Sequence, residues 1–136
     1  MEFMAGVTHK YVMHGFLWTL HKDHHCTHQG FFEQNDHFFL LLALPGCLLL
    51  VFGSLGGFDF RYWIGLGITL YGLTYFIIHD LLIHQRIKRL PKAKATYLKA
   101  LIKAHEAHHK LFGKDRGTCF GLLFFPWKYY SQARED

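Results

Sequence analysis

The sequence predicts an all-α protein, an integral membrane helical bundle built on a membrane hairpin, with a histidine-rich site for two metal ions gathered at its cytoplasmic side. Three observations lead there. Residues 38–58 and 62–78 form two runs free of charge and of histidine, all but one of the 15 Lys and Arg flank their outer ends, and ten of the 12 histidines fall in four spaced clusters. A chain of 136 residues is a single domain, and 51% hydrophobic residues in so short a chain leave too little polar material to surround two such runs in water. Each run approaches the roughly 20 residues that cross a bilayer core, the second by extending past its first histidine. Only Arg61 sits in the turn "GGFDFRY" between the runs, which by the positive-inside tendency places both termini in the cytoplasm.

Taken in order, residues 2–25 read as a mostly helical stretch, followed by the polar connector "CTHQGFFEQNDH". The hairpin runs from 38 to about 84, with Pro45 expected to kink its first helix. Glycines at Gly65, Gly67 and Gly72 suit close helix packing and, secondarily, a slot for a long chain. The basic segment "QRIKRLPKAKA" leads to an amphipathic helix over about 96–112. The tail "GKDRGTCFGLLFFPWKYY" reads as an interfacial loop, with Tyr62, Trp63, Trp127, Tyr129 and Tyr130 as anchors at the membrane surface. Cys26, Cys47 and Cys119 show no metal-type spacing and read as reduced thiols, and no cleavable signal peptide is visible. The net charge of +5 comes without any nucleic-acid-binding signature, so no nucleic acid is expected, and lipid headgroups or an acidic redox partner suit the basic surface.

The histidines repeat in kind. His9 and His14 stand as H-x4-H and are followed by His21, His24 and His25 as H-x-x-H-H; His79 and His84, then His105, His108 and His109, repeat both spacings. On an α-helix positions i, i+3 and i+4 share one stripe, so each triplet offers three imidazoles to one side. Five residues turn an α-helix by about 500°, leaving an H-x4-H pair about 140° apart, so each such pair straddles a site or feeds two metals unless its helix is distorted. All four clusters fall at one end of their segments and can meet. His28 and His37 lie outside the pattern and read as ordinary structural histidines.

Ten imidazoles exceed what one zinc takes and suit two metals of four or five ligands each. A site opening into lipid meets alkyl and polyene chains with little to hydrolyse, so C–H activation by O2 on a redox metal is the fitting chemistry, and iron the expected metal. Asp23, Asp80 and Glu106 each adjoin a cluster histidine and are candidates to hydrogen-bond a ligand imidazole and offset the metal charge. The stretch "HEAHH" also matches H-E-x-x-H, the zinc-protease arrangement with Glu106 as base, but the sister cluster "HKDHH" has Lys22 where that base belongs. A histidine-rich metal transporter would need ligands midway through the membrane helices, where none occur.

"EFMAGVTHKYVMHGFLWTLHKDHH", "YGLTYFIIHDLLIHQR" and "KAHEAHHKLFGKDRGTCFGLLFFP" resemble the bacterial β-carotene hydroxylases, within the fatty acid hydroxylase superfamily of membrane di-iron enzymes. The resemblance covers residues 2 to about 126 and makes residues 1–136 one domain of that kind. It implies O2-dependent 3-hydroxylation of the β-ionone rings of β-carotene, through β-cryptoxanthin to zeaxanthin. Two iron ions as cofactors, a carotenoid drawn from the bilayer and electrons from ferredoxin or a similar carrier go with it. Its ligand histidines fall on His9, His14, His21, His24, His25, His79, His84, His105, His108 and His109. A fatty acid or sterol hydroxylase or a carotenoid ketolase of the same superfamily is the alternative activity. Relatives carry a further hydrophobic helix before the first histidine motif, whereas eight residues precede His9 here, so the resemblance implies either a start truncated of a first membrane helix or a member that anchors differently.

Overall fold

The two apolar runs fold as the long arms of a helical hairpin in the computed structural model, which describes residues 1–25, 32–87, 93–110 and 118–135. In chain order, α1 (Glu2–Val7) continues as a π-helix (Thr8–Phe16), and α2 (Trp18–His21) ends in a 3-10 turn (Lys22–His25). The hairpin is α3 (Asp36–Leu55) and α4 (Phe60–Tyr75), the latter prolonged by a second π-helix (Phe76–Ile83). Then come α5 (Thr96–Lys110) and α6 (Trp127–Arg134), and there is no strand among the described residues.

Both arms, Asp36–Leu55 and Phe60–Ile83, are long and apolar enough to cross a membrane, at about 1.5 Å per residue. Their side chains point outward: Leu41, Leu44, Leu55 and Trp63 are all more than 60% exposed. A water-soluble fold would bury them, so this is the surface of a membrane protein. Pro45 sits inside α3 without ending it.

Small residues hold the arms together. A Cβ on Gly53 would lie 2.1 Å from the backbone nitrogen of Tyr62, and one on Gly65 would lie 2.7 Å from that of Leu50. Gly67 and Gly72 meet nothing within 4 Å, so of the three glycines only Gly65 packs. The turn is made by Gly57 (φ 82°) and Phe58 (φ 62°), after which Asp59 caps α4 by accepting from the Arg61 backbone N–H at 2.9 Å. The Arg61 guanidinium folds onto the same carboxylate, 2.6 Å from Oδ2, which neutralises the only cation of the turn.

The tail differs from the loop expected. Residues 127–134 are helical, and Tyr129 is buried with Ala100, Ala104 and Ala133 between α5 and α6. Tyr129 and Ala133 are four residues apart, so they form the apolar stripe that makes this helix fold against α5. Tyr129 is therefore core, while Trp63 and Trp127 remain exposed as anchors would be. Glu2 ties α1 to the rest, accepting from the Tyr71 hydroxyl and from the N–H groups of Leu123 (2.8 Å) and Phe124 (3.2 Å).

Forcing a methyl group into the Gly53 contact costs about 1–3 kcal/mol of stability, as overpacking does. Gly53→Ala is thus expected to lower the unfolding midpoint in detergent, while Gly67→Ala leaves it unchanged or raises it; equal midpoints would mean that the arms do not approach as described.

Candidate metal centre

The centre is assembled from helix ends of both halves of the chain. His9 and His14 come from the first π-helix, His79 and His84 from the second and its cap, and the triplets from the α2 turn and the end of α5. The π-form resolves the H-x4-H spacing. Its hydrogen bond spans five residues instead of four, as between the His84 N–H and the His79 carbonyl (2.9 Å), so residues five apart stack on one side. The two rings of each pair accordingly lie 5.1 Å and 4.6 Å apart, each pair facing one side.

Ring nitrogens converge in two sets. His9, His14, His21, His25 and His108 bring one nitrogen each to within 4.8 Å of one another, and His24, His84, His105 and His109 do the same. His79 joins the second set through His24, Nε2 to Nε2 at 3.1 Å. Each triplet is therefore divided, which the reading of three imidazoles on one side did not anticipate. The first gives its i and i+4 histidines (His21, His25) to one set and its i+3 histidine (His24) to the other; the second gives His105 and His109 to one and His108 to the other. A stripe of i, i+3 and i+4 is wide enough to face two neighbouring centres.

The outward nitrogens decide the chemistry. Nδ1 of His9 donates to the Phe120 carbonyl (2.9 Å), of His21 to Asn35 Oδ1 (2.7 Å), of His24 to Glu33 Oε2 (2.7 Å), of His79 to Asp80 Oδ1 (2.9 Å) and of His108 to the Thr118 carbonyl (2.8 Å). A neutral imidazole whose Nδ1 carries the proton has a bare lone pair on Nε2. His9 and His21 thus point two lone pairs at each other across 3.1 Å, and so do His24 and His79. Neither contact is a hydrogen bond between neutral rings. A cation between them removes the repulsion, and ligands about 2.0–2.1 Å from a common centre fall at the separations observed.

Burial forbids the alternative of charging the rings. It lowers the pKa of His21 to about 4, of His84 to about 4 and of His109 to about 3, and it lowers His24, His25 and His105 as well; the Arg86 cation adds to the effect at His84 and neighbouring imidazoles at the others. An aromatic shell keeps water out: Phe120 packs edge-on against His9, His14 and His108, Trp18 lies over His14 and His25, and Phe38 closes on His21.

Of the three carboxylates singled out in the sequence, Asp80 touches a histidine. Asp23 instead accepts from the Gln34 backbone N–H (2.7 Å), and Glu106 is exposed on α5. The acceptors missed were Glu33 and Asn35, in the connector, and the carbonyls of Thr118 and Phe120. Asn35 stands at the N-cap of α3 yet makes no cap bond, and spends its side chain on His21. Their one signal was a run of polar residues immediately before a membrane helix. His37, outside both sets, is exposed and bonds the Gln34 carbonyl; His28 lies outside the described residues.

Fold and site together define a class: a helical membrane protein whose interior is a histidine-rich centre able to bind metal. The fatty acid hydroxylase family model matches residues 1–132, and the chain belongs to that family. It is 43% identical over 126 residues to the beta-carotene hydroxylase of Pantoea ananas, covering 93% of this chain and 71% of that protein. It is 38% identical to the beta-carotene hydroxylase of Paracoccus sp. (strain PC1), over 93% and 78%, and 38% identical to the chloroplastic beta-carotene 3-hydroxylase 2 of Arabidopsis thaliana, over 93% and 42%. No solved structure matches the chain at a significant level.

Because these histidines are neutral when folded, the unfolded chain binds more protons than the folded one at every pH between its own value of 6.5 and the lowered values. Stability is therefore constant above pH about 6.5 and falls as pH drops through that value towards 3–4, since protons enter only on unfolding. Thermal unfolding of the protein across pH 8 to 4 is expected to show this one-sided decline. A midpoint that rises on acidification contradicts the burial of neutral rings.

Proposed function

We propose that this chain is a β-carotene 3-hydroxylase, inserting one oxygen atom of O2 at carbon 3 of the β-ionone rings to give β-cryptoxanthin and then zeaxanthin. The observation that carries the reading is the pair of inward-facing histidine sets under an apolar hairpin, in a chain whose bacterial relatives are named beta-carotene hydroxylases and whose chloroplastic relative is named a beta-carotene 3-hydroxylase. Activation of O2 for insertion into a C–H bond is the chemistry that two iron ions supply when bound. His9, His14, His21, His25 and His108 would hold one, and His24, His79, His84, His105 and His109 the other.

The protein's own residues supply the rest. Phe120, Thr118, Asn35, Glu33 and Asp80 keep the proton on Nδ1 of their histidines and leave Nε2 free for metal. Trp18, Phe38 and Phe120 exclude water, which would divert an oxidant from the substrate. The outward apolar faces of α3 and α4 give a polyene a lipid route to the centre. The basic end, with exposed Lys22 and Lys110 beside ligand triplets, suits the acidic surface of a ferredoxin or similar electron carrier at the cytoplasmic face. The excess of Lys and Arg outside the hairpin turn supports two membrane crossings with both termini on that side.

Expression in cells that accumulate β-carotene is expected to yield zeaxanthin, with anaerobically purified protein carrying about two iron ions per chain. His21→Ala or His105→Ala abolishes product, whereas Glu106→Gln, at an exposed position, leaves it unchanged. An unaltered pigment profile with iron-loaded protein would overturn the substrate, and one zinc per chain would overturn the chemistry.

A further inference from the structure

Two of the five outward acceptors belong to one short loop. The carbonyls of Thr118 and Phe120, which accept from Nδ1 of His108 (2.8 Å) and of His9 (2.9 Å), stand on either side of Cys119. Cys119 has φ 58°, a left-handed conformation that a residue with a Cβ keeps only where its surroundings hold it. The Phe120 ring also packs edge-on against His9, His14 and His108, so a shift of this loop moves two acceptors and a water-excluding ring together.

A carboxylate fastens the loop on one side and a hydroxyl on the other. Glu2 Oε1 accepts from the backbone N–H groups of Leu123 (2.8 Å) and Phe124 (3.2 Å), and its Oε2 accepts from the Tyr71 hydroxyl (2.5 Å). Bonds from backbone N–H to a carboxylate are among the stronger ones a side chain can make. Gly121 leaves room for them, because a Cβ there would lie 2.6 Å from Glu2 Oε1. From α5, the Tyr97 hydroxyl donates to the Leu123 carbonyl (2.5 Å). Glu2 thus ties together three parts that build the centre. They are α1, which continues into His9 and His14, α4, which continues from Tyr71 to His79, and the loop that carries the two carbonyls.

We propose that Glu2 is a positioning residue for the metal centre: by fixing residues 118–124 against α1 and α4, its carboxylate keeps the Phe120 and Thr118 carbonyls on His9 and His108 and so leaves Nε2 of both rings free for metal. Groups that hold the far nitrogen of a ligand imidazole set its tautomer and orientation, and Glu2 acts one step further out, on the loop that supplies them. This rests on the reading of the histidine sets as metal ligands.

The test uses purified full-length protein with ¹⁵N-labelled histidines, followed as purified and after loading with Zn²⁺ as a diamagnetic probe. In the wild type as purified, the Leu123 and Phe124 amides are expected to exchange with solvent at least about tenfold more slowly than unbonded loop amides. Exchange at open-loop rates overturns the inference without any variant having to fold. In the zinc-loaded protein, Glu2→Ala is expected to speed exchange of the His9 and His108 Nδ1 protons by about tenfold, leaving those of His21, His24 and His79 unchanged, and to speed zinc release to a chelator by about tenfold. Gly121→Ala, which displaces the same carboxylate without removing it, is expected to do the same. Glu2→Gln, which keeps an acceptor oxygen within reach, is expected to retain most of the protection. Equal acceleration of all five protons marks a general loosening of the fold, and no acceleration marks a loop that stands without Glu2; either result overturns the inference alone. Wild-type protein that binds no metal overturns the reading of the histidine sets and the inference with it.

Discussion

Imidazole lone pairs aimed at one another across about 3 Å are what the rest of this structure has to accommodate. Five Nδ1–H groups are committed outward to acceptors, so the inner nitrogens of His9, His21, His24, His79 and His108 cannot donate. In an interior that refuses protons, only a cation brings such an arrangement to rest. Much of the surrounding structure follows from that need. The connector before α3 supplies Glu33 and Asn35, the loop before α6 supplies two carbonyls, and aromatic rings exclude the water that would otherwise solvate the nitrogens.

The same need accounts for departures from regular helix. An α-helix would splay His9 from His14 and His79 from His84, whereas the π-form aligns each pair. π-segments are rare because their hydrogen-bond geometry is poorer, and two of them here carry the two pairs. Gly15 then breaks the helical backbone (φ −91°, ψ −119°) directly after His14, redirecting the chain so that His21 and His25 return to the same centre. The chemical repeat of the sequence becomes an exchange in space: each half builds one set from its pair and its i, i+4 histidines, then lends its i+3 histidine to the other.

How much of this the sequence discloses depends on whether a feature is local. The hairpin was legible because uncharged runs of bilayer length have few other fates, and the ten histidines were legible because their spacings recur. Which set each histidine joins was not. His24 and His108 lie one residue from partners that face elsewhere, and only the packing of four segments assigns them. The π-form of residues 8–16 has no marker beyond the H-x4-H spacing itself, which an α-helix would place on opposite sides. Glu33 reaches His24 from nine residues away and Phe120 reaches His9 from 111 away, contacts that no periodicity carries. Tyr129 was misread because an aromatic near other aromatics resembles a membrane anchor, when its spacing from Ala133 was the better guide.

An inside-out distribution of polarity ties the metal centre to the stability of the fold. Among the described residues, eight of the ten buried polar ones are histidines, while the buried hydrophobic core amounts to a few side chains such as Leu101, Phe38 and Tyr129, with Ala100, Ala104 and Ala133 the smallest. The large apolar side chains point outward, where lipid gains little from their burial in protein. Hydrophobic packing therefore does not draw α2, the end of α4 and the end of α5 together, and neutral imidazoles with opposed lone pairs push them apart. Metal binding would supply the attraction that a soluble domain takes from its core, because a ligand set drawn from distant segments exists only when those segments are docked. The histidines able to hold metal are thus also principal interior contacts among the described residues, and a substitution among them would remove a structural cross-link together with a ligand.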